Sequence, residues 1–158
     1  MSFELIDNLL QVFSLSIAAV RALLFWIRCS ERHFLILAFA YACFTMGTLY
    51  YVLYLAIFGR VPQIFYGAEI SWLASYLFLL SLQLIRTNTK NISFSFVPAF
   101  CTVATVVSIL IFRIFGPSYF MSSLLALTTG SLMYLSVFRL QSKQPFHFLD
   151  LCFIGCIV

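Results

Sequence analysis

Five predominantly apolar stretches of 20 to 25 residues, parted by linkers of at most seven, leave this chain few ways to fold. They run from Leu5 to Ile27, Phe34 to Phe58, Ile64 to Ile85, Ile92 to Phe115 and Tyr119 to Phe138. A sixth run of 13 residues follows, from Phe146 to Val158. A helix crossing a hydrocarbon core of ~30 Å needs about 20 apolar residues, so the first five runs are long enough to span and the sixth is not. Lipid offers backbone N–H and C=O groups nothing to bond, and the runs lack the alternating pattern of a barrel, so each span must satisfy its own backbone as a helix. The expected fold is all-α: a polytopic transmembrane helix bundle, five full spans plus a short or truncated sixth, forming a single transmembrane domain over residues 1–158.

Composition leads to the same place. Hydrophobic residues make up 63% of the chain and charged ones 9%, against about 45–50% and about 25% in a soluble domain. A soluble fold of this length leaves roughly a third of the unfolded chain's surface exposed, and here there are too few charges to cover it. The net charge of +4 comes from basic residues scattered singly between the runs, which excludes a nucleic-acid-binding stripe. The partner demanded is the lipid bilayer, and the expected location is the cell membrane, multi-pass. The opening MSFELIDNLL carries Glu4 and Asp7 where a secretory signal carries positive charge, so the first run is expected to stay in the mature protein.

Linkers this short make consecutive helices antiparallel neighbours. Gly59, Pro62, Gly116 and Pro117 punctuate the second and fourth as turn residues do. Arg28, Arg32, Arg86, Lys90, Arg139 and Lys143 fall in the first, third and fifth, while the other side offers Arg60 and Arg113. Six against two sets the odd linkers in the cytoplasm and the N-terminus outside. Tyr50, Tyr51, Tyr54, Phe65, Tyr66 and Tyr119 gather at the outer boundary, and Trp26 marks an inner one. Arg21 lies one to two turns inside the first span, close enough to the cytoplasmic end to snorkel. The sixth run ends at GCIV without a flanking charge. It is either a shallow or re-entrant piece or part of a chain that continues beyond Val158, and we favour the second. In layout alone, the N-out array with small linkers resembles the membrane half of bacterial sensor proteins, whose seventh helix leads into a cytoplasmic signalling domain.

Few polar residues could carry chemistry. Glu69 stands out, because a carboxylate inside a span is costly and usually faces protein or water. At 100° per residue, Trp72, Tyr76 and Gln83 fall within about 60° of its direction, giving a polar-aromatic stripe on the third helix. Tyr41, Thr45 and Thr48 share a face of the second helix and could present hydroxyls to Glu69 or to a cavity. The functional reading of Glu69, Trp72, Tyr76, Gln83, Tyr41 and Thr45 is a ligand site in the outer half of the bundle. The plainer reading makes Glu69 an interfacial helix-start residue complementing the helix dipole, with Arg60 or Arg113 as its ion-pair partner, and makes the hydroxyls packing groups. Cys101, Thr105 and Ser108 take the same plainer reading, Pro98 is expected in the first turns of the fourth helix, and Thr128, Thr129 and Ser131 form a polar cluster near mid-span of the fifth.

Small residues at i and i+4 mark faces suited to close helix approach: Ser14, Ala18 and Ala22, then Ala38 and Ala42, then Ala126 and Gly130. Such faces also suit association with a second copy. His147 and Asp150 share a face at the start of the sixth run and read as a helix-start pair. Cys29, Cys43, Cys101, Cys152 and Cys156 show no C-x-x-C and no histidine pair at zinc spacing, so packed free thiols are expected, with no metal and no cofactor. Catalytic signatures are missing: no G-x-S-x-G, H-E-x-x-H or Gly-rich phosphate loop. The expected role is a membrane-embedded sensory or anchoring module of a signalling protein that binds a small ligand. The alternative is a small transporter or permease subunit with Glu69 in the solute or proton pathway.

Overall fold

A computed structural model of the chain describes residues 3–59, 66–87, 94–112, 118–141, 150–151 and 154. The described residues form five α-helices and no strand: α1 (Phe3–Cys29), α2 (Arg32–Phe58), α3 (Tyr66–Arg86), α4 (Phe96–Phe112) and α5 (Tyr119–Gln141). Four contain segments long and apolar enough to cross a membrane: Leu5–Cys29, Arg32–Phe58, Gly67–Arg86 and Tyr119–Gln141. α4 has 17 residues, about 26 Å at ~1.5 Å per residue. The ends of its apolar run, 92–93 and 113–115, lie outside the described residues.

The distribution of side chains inverts that of a water-soluble protein. Phe94, Phe96, Ile57 and Phe120 are each at least 70% exposed, whereas Glu69, Gln83, Thr129, Ser136, Arg139 and Asp150 are 2% exposed or less. Apolar surface faces outward because lipid is as good a solvent for it as another helix, and the polar groups turn inward to find partners. The exposed apolar surface and the lengths of four helices are both compatible with a helical membrane protein.

The described residues divide into two compact units, Met1–Leu79 and Leu80–Val158. In the first, α1 and α2 are joined through Ser30 and Glu31. Ser30 closes α1 from the left-handed region (φ 54), its N–H donating to the Trp26 carbonyl at 2.7 Å. The Phe25 and Phe34 rings stack across the turn, 5.5 Å apart, so α2 folds back along α1. Gly59 ends α2 in the left-handed conformation, its N–H donating to the Leu55 carbonyl, a glycine C-cap. Along α2, Phe39, Phe44, Gly47 and Tyr50 meet Phe78, Tyr76, Trp72 and Gly67 in turn. Partner numbers fall as α2 numbers rise, so the first part of α3 runs antiparallel to α2. Gly47 makes this approach possible, since a Cβ there would sit 2.8 Å from the Trp72 indole and 3.1 Å from the Ala68 carbonyl oxygen.

In the second unit α4 packs on α5. Pro98 lies in the first turn of α4, where no intrahelical N–H is required of it. Ser118 precedes α5, and the Met121 N–H points at its hydroxyl from 3.5 Å. Midway, Gly130 faces α4: a Cβ there would fall 2.7 Å from Val106 Cγ2 and 3.4 Å from Thr102 Cγ2. The Thr102 hydroxyl bonds its own helix at the Pro98 carbonyl (2.8 Å) and leans toward the Gly130 carbonyl (3.4 Å). Of the small residues expected to bring helices together, Ala22, Ala38, Ala126 and Gly130 are buried, while Ser14 and Ala42 are exposed.

Candidate functional site

The α3 stripe divides between the two units. In the first unit, Glu69 occupies the first turn of α3 and is 1% exposed. Neither carboxylate oxygen accepts a hydrogen bond from any described residue. A buried polar atom normally has a partner, and one without costs of order 1–3 kcal/mol or more. The helix dipole favours a negative charge at this position but does not supply a donor to either oxygen. Arg60, a partner considered from sequence, lies outside the described residues, as does Arg113.

One turn along, the Trp72 indole covers Gly47, and its ring centroid is 6.4 Å from that of Phe44. Tyr76 is buried and meets the same Phe44 ring edge-on at 6.3 Å. Helical spacing of three and seven residues keeps Trp72 and Tyr76 on the side of Glu69, so the carboxylate sits at one end of an aromatic column. Tyr41 and Thr45 lie on α2, both half-buried. The Thr45 hydroxyl donates to the Tyr41 carbonyl at 2.7 Å, and Thr48 donates to the Phe44 carbonyl at 3.1 Å. Both hydroxyl protons are engaged with their own helix, as β-hydroxyls in apolar helices commonly are.

The same holds further along. Thr105 donates to the Cys101 carbonyl, Thr128 to Leu124 and Leu125, Thr129 to Leu125 and Ala126, and Ser131 to Leu127. The polar cluster of α5 therefore spends its donors on its own backbone.

Gln83, at the far end of α3, belongs to a different constellation, within the second unit. Its amide nitrogen donates to Asp150 Oδ1 at 2.7 Å and reaches Ser136 Oγ at 3.3 Å. Its amide oxygen accepts from Arg86 Nη1 at 3.2 Å. Arg139 Nε donates to Asp150 Oδ1 at 3.2 Å and Oδ2 at 3.3 Å, and Arg86 Nη1 stands 3.5 Å from Oδ1. Arg139 Nη1 also donates to the Arg86 carbonyl oxygen. One fully buried carboxylate thus holds two guanidiniums from the last turns of α3 and α5, where cations also favour the helix dipole. Multiple charge-assisted hydrogen bonds are what allow such a buried group to persist.

Sequence reasoning coupled Asp150 to His147, which lies outside the described residues, and read Arg86 and Arg139 as linker charges. A usable signal was present: the third and fifth linkers share a side of the membrane in the expected topology, and Asp150 follows the fifth. Among the described residues no group of three or more His, Cys, Asp or Glu could hold a metal, and Cys29, Cys43 and Cys101 are free thiols. Comparison with known protein families, characterised proteins and solved structures finds no match to this chain.

Proposed function

We propose that the chain is a multi-pass protein of the cell membrane with five full spans ahead of its sixth apolar run, its N-terminus outside. Its role on this reading is that of a membrane-embedded sensory or anchoring module of a signalling protein. It binds a small organic cation at Glu69, with Trp72 and Tyr76 beside the carboxylate. The observation that supports this reading is the Glu69 carboxylate itself, 1% exposed and with no hydrogen-bond partner among the described residues. A buried carboxylate beside aromatic rings is complementary to a positively charged ligand, which supplies the missing countercharge while its alkyl groups meet the ring faces. Tyr41 and Thr45 contribute the facing α2 wall, and Gln83 serves the Asp150 cluster instead.

Thermal unfolding of the purified protein in detergent, with tetramethylammonium, choline and ethanolamine as probes, tests the site. Ligand at about 100 times Kd stabilises by roughly 2.7 kcal/mol, raising the unfolding midpoint. At least one probe is expected to shift the wild type and none to shift Glu69→Gln. An equal shift in both proteins, or none in the wild type, removes the proposal.

The transporter reading uses the same carboxylate as a proton or cation carrier. It is less well supported, because the hydroxyls of Thr45, Thr48, Thr105, Thr128, Thr129 and Ser131 donate to their own helices rather than lining a continuous polar path. Proteoliposome uptake of radiolabelled tetramethylammonium under a pH gradient separates the two. Flux abolished by Glu69→Gln favours transport, and binding without flux favours sensing.

A further inference from the structure

Arg21 and Arg28 border one groove of about 210 Å³ on α1, together with Leu24 and Phe25. We propose that this groove is a binding site for the headgroup of an anionic phospholipid, with the phosphate between the two guanidiniums and an acyl chain against Leu24 and Phe25.

The argument starts from the spacing. Positions 21, 24, 25 and 28 are i, i+3, i+4 and i+7, so they form one continuous strip on a helix, with the two arginines about 10 Å apart along the axis. Helical side chains lean toward the N-terminus, which carries Arg28 back toward Arg21. Arg21, set within the membrane-crossing segment Leu5–Cys29, reduces its cost by reaching toward the interface, which carries it toward Arg28. Both arginines line the same groove.

Charge then selects the occupant. Both arginines are exposed, and neither takes part in an ion pair with any described residue. Along the strip the neighbouring surface is apolar, with Val20, Leu23, Leu24, Phe25 and Ile27 each at least 41% exposed, and beyond Arg28 the linker exposes Ser30, Glu31 and Arg32. A guanidinium at this depth on a lipid-facing surface needs an anion that can itself enter the bilayer boundary. A phosphate diester carrying acyl chains meets that condition, since its charge and its apolar part match the two halves of the strip. Basic pockets at the ends of membrane helices recognise such headgroups by this combination.

Native mass spectrometry of the detergent-purified protein tests the site, with phosphatidylglycerol, phosphatidylcholine of the same acyl chains, and inorganic phosphate added separately. Each guanidinium is expected to favour the anionic lipid roughly fivefold, and the pair by a factor of about 25 to 30. Phosphatidylglycerol should be retained over phosphatidylcholine by the wild type and by Arg32→Gln, with the preference reduced in Arg28→Gln and lost in Arg21→Gln/Arg28→Gln. Inorganic phosphate should not bind. Equal retention of the two lipids, an undiminished preference in the double variant, or binding of free phosphate in place of lipid would each overturn the proposal. So would a lipid-independent dimer that Arg28→Gln dissociates, which would make a second copy the occupant. If the double variant does not fold, the comparison of wild type, Arg32→Gln and Arg28→Gln decides.

Discussion

At the scale of single residues, two helix contacts, α2 with α3 and α4 with α5, close over a glycine. Gly130 is the clearest case, because the nearest atom to its missing Cβ is Val106 Cγ2 at 2.7 Å, and a β-branched side chain has little freedom to turn aside in a helix. Gly130→Ala is expected to destabilise the protein by about 1–3 kcal/mol through overpacking. Val106→Ala in the same chain should recover part of that loss, giving a coupling of roughly 0.5–3 kcal/mol in a double-mutant cycle. Unfolding in SDS/detergent mixtures would measure it, and additive effects would show that the two residues do not share the contact. The small-residue spacing at Ala126 and Gly130 pointed to this face from the sequence. Which side chain Gly130 admits was not legible, because that depends on the register between α4 and α5. Glu69 shows the same division. Its cost inside a span could be read from its position, whereas the lack of a donor from any described residue depends on what α2 and α3 bring near it.

At the scale of elements, Asp150 ties the last described helical residues to the ends of α3 and α5 through Gln83, Arg86 and Arg139. Removing the carboxylate leaves two guanidiniums without their shared countercharge, and breaking a buried pair in this way costs about 3–5 kcal/mol. Asp150→Asn, which keeps the shape, is expected to lower stability by that order and to change the unfolding midpoint far more than Asp7→Asn on α1. Arg139→Gln combined with Asp150→Asn should cost less than the two separate losses together. A midpoint for Asp150→Asn within error of wild type would mean the cluster contributes no stability. The cluster escaped sequence reasoning because helical periodicity relates residues within one helix. Gln83 follows Glu69 at stripe spacing, yet its amide is drawn to a carboxylate 67 positions later in the chain.

At the scale of the whole molecule, the surface is that of a membrane protein, and the proposed topology follows from the placement of its basic residues. Reporter fusions after Arg32, Lys90 and Lys143 are expected to read as cytoplasmic, and fusions after Arg60 and Pro117 as external. The pair at Lys90 and Pro117 tests α4 directly: if both report the same side, its 17 helical residues do not cross and the span count falls. An external reading for the three basic linkers would reverse the orientation and move the Glu69 site to the cytoplasmic half. The Arg21 and Arg28 groove would keep its chemistry and change leaflet.

Legible in the sequence were the helical class of the described residues, the reversals from α1 to α2 and from α2 to α3, and an apolar outer surface suited to lipid. Those conclusions rest on run length, linker length and composition, which are properties of contiguous residues. Tertiary structure alone decided which scattered polar groups meet: Gly47 beneath Trp72, Gly130 against Val106, and Asp150 between Arg86 and Arg139. The physical reason is that lipid gives apolar faces no reason to prefer one helix partner over another. The choice falls to a few close approaches and charged hydrogen bonds, and these depend on register and rotation that no linear pattern encodes.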